Sequence, residues 1–584
     1  MEIPRCVDKE RGVRPLFQFH GGVHPPQHKA ESTQLPIAIP PLPKRLVVPL
    51  HQHIGESAKP VVAVGERVLK GQVIGRAEGY VATAVHAPTS GVVLAIDYHA
   101  VPHPSGLPDV CVTIESDGDN RWVERQPLDY RNLDKSQLRN RLREAGVVGL
   151  GGAVFPSFIK LNPGGNKIKT LVINGAECEP YITCDDLQMR ERADQVVGGI
   201  QIMQYMLDAE TVVIGIEDNK PEAIAAMRAA LKSMGVAAEV VPVPTIYPGG
   251  GAKQLIRVLT GIEVPAGGRS IEMGVQCFNT GTAYSVHRAV NHGEPVVARI
   301  VTITGHVARP QNFEALIGTP INELTALAGE KAASTGYLMG GPMMGFTLPS
   351  PRVPVVKATN CVIVLNKALF PPALAEMPCI RCGKCAEACP ADLQPQELYW
   401  FSRAKNFGKT QEYGLFDCIE CGCCSYVCPS HIPLVQYYRF AKSEIWAREK
   451  EKQQADIARE RFEFRTFRLE REKAERAERL AQKTAPAKST TPTTIATKAT
   501  EPAQAAALQI EAAGVPHDPK KAAIQAAIER AKAKKASVTP KNTDNLAPEI
   551  QAEIAEIESR RAEMREIART PVPEELTKQL TEER

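Results

Sequence analysis

The segments Cys379–Pro390 (CIRCGKCAEACP) and Cys418–Pro429 (CIECGCCSYVCP) repeat one pattern, C-x2-C-x2-C-x3-C-P, and constrain this chain more than any other feature. Three thiolates spaced so closely hold three irons of one [4Fe–4S] cube, and the fourth cysteine of each run ligates the other cube. The spacing therefore predicts one cluster on Cys379, Cys382, Cys385 and Cys428 and a second on Cys418, Cys421, Cys424 and Cys389. Gly383, Ala386, Gly422 and Ser425 are small enough for the backbone to wrap closely around an inorganic core. A structural zinc site closes with four ligands, usually as two separated pairs, and suits two runs of four poorly. Dense runs each ending in proline are also not how disulfide frameworks space their cysteines. Cys423, between two expected ligands, reads as a bystander. Two cubes in one small region carry electrons rather than perform a reaction, so a donor and an acceptor belong elsewhere.

A chain of 584 residues is long enough for about three to five domains. Its 43% hydrophobic and 23% charged content is that of a globular protein; a net charge of +4 argues neither for nor against nucleic acid, and the lack of a basic face with interleaved aromatics makes nucleic acid a poor lead. Fifteen cysteines agree with a reducing compartment. The opening MEIPRCVDKERGV lacks the apolar core of a signal peptide, and the longest apolar runs fall well short of the ~20 residues that cross a bilayer. The expectation is a soluble protein that docks on membrane partners without a span of its own.

Residues 1–35 read as an irregular lead-in, because Gly21, Gly22, Pro25 and Pro26 prevent His20, His24 and His28 from sharing a helix face. Residues 36–130 alternate short apolar runs with Gly and Pro, a β pattern. The phrases VGERVLKGQVIG and VHAPTSGVVLAI within it resemble the biotinyl/lipoyl barrel-sandwich, with Tyr80 where the carrier lysine would stand. His86 is expected to pack or hydrogen-bond inside this sandwich. From 131 to 264 helical and strand patterns alternate, which predicts a parallel sheet covered by helices. LVING, TVVIGIE and AEVVPVP are the strands; SQLRNRLREAG, the long run DLQMRERADQVVGGIQIMQYML and KPEAIAAMRAALKSMG are the helices.

Two stretches of this α/β region carry chemistry. GLGGAVFPSFIK (Gly149–Lys160) is a Gly-rich turn whose free backbone N–H groups suit a phosphate, followed by a lysine. VINGAECEPYITCDD leaves the end of a predicted strand, the edge at which open α/β sheets bind ligands. Together with YPGGGAKQL (Tyr247–Leu255) and FNTGTA (Phe278–Ala283), they resemble, in order, the motifs of the flavoprotein subunit of respiratory complex I. With twin cysteine runs downstream, residues 1–450 more closely resemble the RnfC/RsxC subunits of the Rnf/Rsx ion-translocating electron transport complexes.

That resemblance implies FMN on Gly149, Gly151, Gly152 and Lys160, with Asn174, Glu177 and Glu179 lining the flavin and nicotinamide face. It implies that Tyr247, Gly250, Asn279 and Thr282 complete the pocket, and that Glu177 and Glu179 take part in hydride transfer from NADH. The chain departs from the complex I motifs at Ala176, Gly251 and Ala252, where acidic residues stand in that family. Residues 265–350 resemble the soluble-ligand-binding β-grasp module of these relatives, and 365–440 form a helical two-cluster ferredoxin domain. The implied fold class is multidomain α+β: barrel-sandwich, flavin/NADH-binding α/β domain, β-grasp, ferredoxin domain and a charged tail over 441–584. The tail should begin as one long exposed helix, with Glu472 and Glu475 four residues before Arg476 and Arg479, then turn to low complexity and two Ala/Lys-rich helices. The implied setting is peripheral, on the cytoplasmic face of the inner membrane. Integral-membrane and flavin-bearing subunits are the partners, and either ferredoxin or a redox-sensing regulator accepts the electrons.

Overall fold

The computed structural model describes residues 14–372 and 374–484. The two further helices expected in the tail lie outside them. The chain divides into units 1–476 and 477–584, the first of which holds every sheet described below.

Seven strands build the sandwich: β1 (Arg45–Pro49), β2 (Lys59–Pro60), β3 (Arg67–Val68), β4 (Val73–Arg76), β5 (Val85–His86), β6 (Gly91–Ala100) and β7 (Pro108–Ser116). They form one sheet ordered β1-β7-β6-β3 and a smaller one ordered β2-β4-β5. Val48, Ile74, Val93, Val112 and Ile114 close the interior between them. Tyr80 stands exposed on the β4–β5 connection. His86 is buried, and its Nδ1 has no hydrogen-bond partner.

The α/β domain comprises α1 (Lys135–Glu144), α2 (Ser157–Lys160), β8 (Thr170–Gly175), α3 (Cys184–Glu191), α4 (Ala193–Leu207), β9 (Thr211–Glu217), α5 (Pro221–Met234), β10 (Glu239–Val243), α6 (Ala252–Thr260), β11 (Val275–Asn279) and α7 (Thr280–Asn291). Its sheet is wholly parallel, ordered β10-β9-β8-β11. The expected boundary at residue 264 therefore falls too early. The Pro- and Gly-rich stretch after α6 looks like a domain break, but the chain returns to lay β11 beside β8, with Val275 opposite Thr170.

The single long helix expected over residues 186–207 is interrupted. Arg192 leaves helical geometry between α3 and α4, and its guanidinium binds Glu314 at 2.6 Å and the Tyr284 hydroxyl at 2.5 Å. A charge-assisted pair outweighs the modest cost of ending one helix and starting another. Helices α4 and α7 meet at Gly199, where a Cβ would stand 1.8 Å from the Ala283 carbonyl oxygen.

A third sheet, ordered β13-β12-β16-β14-β15, holds β12 (Ala298–Gly305), β13 (Gln311–Leu316), β14 (Gly336–Met339), β15 (Phe346–Thr347) and β16 (Cys361–Leu365), with α8 (Ile321–Leu327) packed on it. Lys357, just before β16, is buried and donates to the carbonyls of Gly146 (2.6 Å) and Ala84 (3.4 Å), pinning three domains together. Burial pulls its ammonium down to about 7. Between that pH and the ordinary lysine range the unfolded chain holds a proton that the folded one has lost, so this group makes stability rise with pH. Denaturant midpoints measured from pH 7 to 9 should rise less steeply in Lys357→Met than in the parent. Parallel slopes would show that Lys357 does not titrate there.

The cysteine-rich module contains α9 (Lys384–Glu387), α10 (Pro395–Arg403), α11 (Phe407–Glu412), α12 (Cys423–Tyr426) and the start of α13 (Leu434–Thr484). The insertion between its cysteine runs contains the helices α10 and α11, separated where Asn406 leaves the helix and its side chain caps α11 at Lys409. Leu398, Phe407, Leu415, Ile432 and Tyr438 form its core. Along α13 the exposed ion pairs include Arg468–Glu472 and Arg471–Glu475, one register earlier than the pairs expected from sequence.

Candidate cofactor sites

Both cysteine runs fold as short loops that open into one helical turn, with Gly383 and Gly422 in left-handed backbone geometry at the start of α9 and α12. That geometry suits glycine, and at Gly422 a Cβ would also meet the Met343 carbonyl at 2.8 Å. The chain returns so that the end of each run lies beside the start of the other. Cys379, Cys382, Cys385 and Cys428 line one cavity of about 420 Å³. Cys389, Cys418, Cys421 and Cys424 line a tighter one of about 20 Å³. None of these eight is in a disulfide. Two separate sets of four converging thiols suit [4Fe–4S] cubes. Cys423 lines neither cavity: it is buried, with its Sγ 3.9 Å from the Tyr247 carbonyl oxygen.

The two cavities differ in surroundings. Cys382 and Ile380, at the first, are exposed. The loops of the second are covered: the Gly22 amide donates to Ala388 O (3.1 Å), and His20 Nδ1 lies 2.8 Å from Cys389 O.

At the carboxyl edge of the parallel sheet, the Gly-rich turn meets the β11–α7 junction. A Cβ on Gly151 would lie 3.2 Å from the Asn279 side chain, while Gly152, at φ +113°, faces open space. The Leu150 amide donates to Thr282 Oγ1 (3.0 Å), and Asn279 caps α7 at Gly281 while donating to Asp185 Oδ2 (2.5 Å). Two buried polar atoms here, Thr280 Oγ1 and Gln188 Oε1, have no hydrogen-bond partner. Buried polar atoms seldom go unpaired in a finished structure. A Gly-rich turn beside the first turn of α7, with orphaned oxygens, therefore fits a polar, phosphate-bearing group.

Four of the implied residues already have partners within the protein. The Glu177 carboxyl is engaged by backbone amides. It accepts from the amides of Asp185 (2.7 Å) and Asp186 (3.3 Å), so it caps α3, whose unpaired N–H groups favour a negative partner. Burial, then the neighbouring Asp185, push its carboxyl up to about 8. Glu179 is bound by the amides of Met343 (2.7 Å) and Met344 (3.0 Å), and burial raises it as well. Lys160 donates to Cys277 O at 2.5 Å, over the Phe278 ring. Tyr247 reaches out of the α/β domain and donates to Cys421 O at 2.6 Å. Asn174 remains at the sheet edge and donates to Gly250 O (2.7 Å).

Two residues that the sequence did not single out organise the acidic segment. Lys29 Nζ donates to the carbonyls of Glu177 (2.7 Å), Glu179 (2.9 Å) and Ile182 (2.8 Å). Lys220 Nζ donates to Ala176 O (2.7 Å) and pairs with Glu217 (2.6 Å). Between them two buried ammonium groups hold four carbonyls of one loop, in which Glu177 and Tyr181 have left-handed φ values of 52° and 69°. Lys29 lies in an aperiodic lead-in and Lys220 reads as an ordinary helix start, so no local pattern marks either one.

A nucleotide-fitting parallel sheet joined to a module with two four-thiol sets defines an iron–sulfur flavoprotein. Family models agree: RnfC barrel sandwich hybrid domain over residues 17–119, Nuo51 FMN-binding domain over 142–288, SLBB domain over 300–347 and 4Fe-4S dicluster domain over 378–432. The chain is 48% identical to the RnfC subunit of the ion-translocating oxidoreductase complex of Serratia proteamaculans (strain 568), over 78% of this chain and 65% of that one. It is 50% identical to the subunits of the same name from Yersinia pseudotuberculosis serotype O:3 (strain YPIII) and Yersinia pestis bv. Antiqua (strain Antiqua). Each match covers 78% of this chain, with 66% and 74% of the respective relatives. The chain belongs to the RnfC family of ion-translocating oxidoreductase complex subunits. It spans just under two thirds of the length of the Serratia and Y. pseudotuberculosis relatives. Among the described residues no helix is long and apolar enough to cross a membrane.

Proposed function

We propose that this chain is the electron-input subunit of a membrane-bound ion-translocating oxidoreductase complex, receiving hydride from NADH and delivering single electrons to integral-membrane and flavin-bearing partners. When bound, FMN supplies acceptance of an electron pair with release one at a time, and [4Fe–4S] cubes carry the single electrons. The Gly149–Gly152 turn, Asn279, Thr280 and Thr282 would hold the flavin, with Gln188 and Asn174 supplying further polar contacts. Cys389, Cys418, Cys421 and Cys424 would hold the cube nearer the α/β domain. Cys379, Cys382, Cys385 and Cys428 would hold the outer one, whose exposed rim faces a partner. Glu177 and Glu179 serve this site by fixing its loops rather than by touching the nicotinamide. The chain sits peripherally, at the cytoplasmic face of the membrane, through its partners.

One observation carries this reading: the short loop from Tyr247 to Gly250 hydrogen-bonds Asn174 at the sheet edge and the Cys421 backbone at the inner cavity. The purified chain should show a flavin absorbance band that NADH bleaches. A second reading, an electron relay without its own flavin chemistry, is favoured by the commitment of Glu177, Glu179 and Lys160 to backbone groups. Full cluster content with no flavin band would establish it in place of the first.

A further inference from the structure

Tyr247 is nearly inaccessible to solvent, at 1% exposure, yet its hydroxyl spends its hydrogen bond outside its own domain, on Cys421 O at 2.6 Å. Its backbone is held as firmly. The Tyr247 amide and carbonyl pair with Val23 at 3.0 and 2.8 Å, and the Cys423 thiol approaches the same carbonyl at 3.9 Å. The phenol is therefore fixed at both ends: its O–H donates to the peptide of an expected cluster ligand, and the Glu179 carboxyl lies beside the same hydroxyl. The covering contacts from Gly22 and His20 reach Ala388 and Cys389, whereas among the implied flavin-pocket residues Tyr247 is the one that hydrogen-bonds the Cys421 backbone, with the Glu179 carboxyl close enough to act on Cys421 through its charge.

We infer that Tyr247 is a positioning residue for the inner cluster, raising its reduction potential through the Cys421 peptide. Reduction adds one negative charge to a cube. A donor directed at the carbonyl of a ligand cysteine offsets the negative end of that peptide dipole, which stabilises the more anionic, reduced state. The Tyr247 hydroxyl belongs to the inner set only, so it biases electrons leaving the α/β domain toward the nearer cube. This inference rests on the proposed assignment of Cys389, Cys418, Cys421 and Cys424 as ligands.

The test is a dithionite titration of the full purified chain followed by electron paramagnetic resonance, which requires neither NADH nor flavin. Its outcome is thus separable from that of NADH bleaching. In Tyr247→Phe, the inner cluster should titrate at lower potential, its reduced-to-oxidised ratio at the parent midpoint falling roughly three- to tenfold, as expected for one lost hydrogen bond. Tenfold corresponds to about 59 mV for one electron. The outer cluster should keep its parent midpoint. Replacing Tyr247 with 3-fluorotyrosine, which keeps the shape and strengthens the donor, should move the inner cluster the opposite way, and it tests the inference even if the phenylalanine variant folds poorly. Parent-like midpoints in both variants, or equal shifts of the two clusters, would overturn the inference.

Discussion

Replacing Cys389 with serine is expected to abolish the cluster built from the other cysteine run while leaving its own run's cluster intact. Cys389 closes the first run in sequence, but it lines the cavity of Cys418, Cys421 and Cys424. Its sulfur is placed there by the Leu393 amide (3.4 Å), and its carbonyl is held by His20. A serine oxygen is a harder and shorter ligand than a thiolate, and a cube missing one corner is readily lost. Iron content should fall from about eight to about four per chain, since each cube holds four. The spectrum of the reduced variant should copy that of Cys421→Ser and differ from that of Cys382→Ser. If it copies Cys382→Ser instead, the fourth ligands do not cross over.

Lys220→Met should destabilise the α/β domain by about 3–5 kcal/mol, the usual cost of removing one partner of a buried ion pair. Glu217 and Lys220 are both essentially inaccessible, and Glu217 Oε1 already lacks a partner. Without the ammonium, an uncompensated carboxylate remains in the interior and the Ala176 carbonyl loses its donor. The double variant Glu217→Leu with Lys220→Met should recover much of the loss, because apolar replacement of a whole buried pair is often near neutral. Urea midpoints would measure both. A loss under about 1 kcal/mol in the single variant would mean that water reaches the pair.

The sequence revealed the elements whose cause is local. Cysteine spacing, Gly-rich turns and the alternation of apolar strands with amphipathic helices each reflect constraints within a few residues. Hence the cysteine sets, the sandwich with Tyr80 at its tip and the parallel sheet could all be anticipated. Features set by distant partners could not. Arg192 breaks a good helical pattern for the sake of Glu314, and β11 rejoins β8 after a stretch that looks like a linker. Glu177 and Tyr247 sit in the right motifs, but the sequence does not state which way a side chain turns. Glu177 turns to the start of α3 and Tyr247 to the cysteine-rich module. Lys29 shows the limit most clearly: its three acceptors are backbone carbonyls about 150 positions away, and a carbonyl leaves no mark on residue identity.

The lead-in that runs from His20 to Lys29 also sets a schedule for biosynthesis. His20 meets the Cys389 backbone across 369 positions of chain. A ribosome adding about 5–20 residues per second needs roughly 20–70 seconds to bring the second partner out after the first. Throughout that interval the sandwich and the α/β domain can fold, while the N-terminal segment that covers the inner thiols waits in water for its last contacts. The inner cavity is covered partly by this segment, already present when the cysteines emerge, and partly by Tyr247 and Met343. The inner thiols are therefore most open to iron and sulfide before that segment settles, whereas the outer set keeps Cys382 exposed in the finished protein.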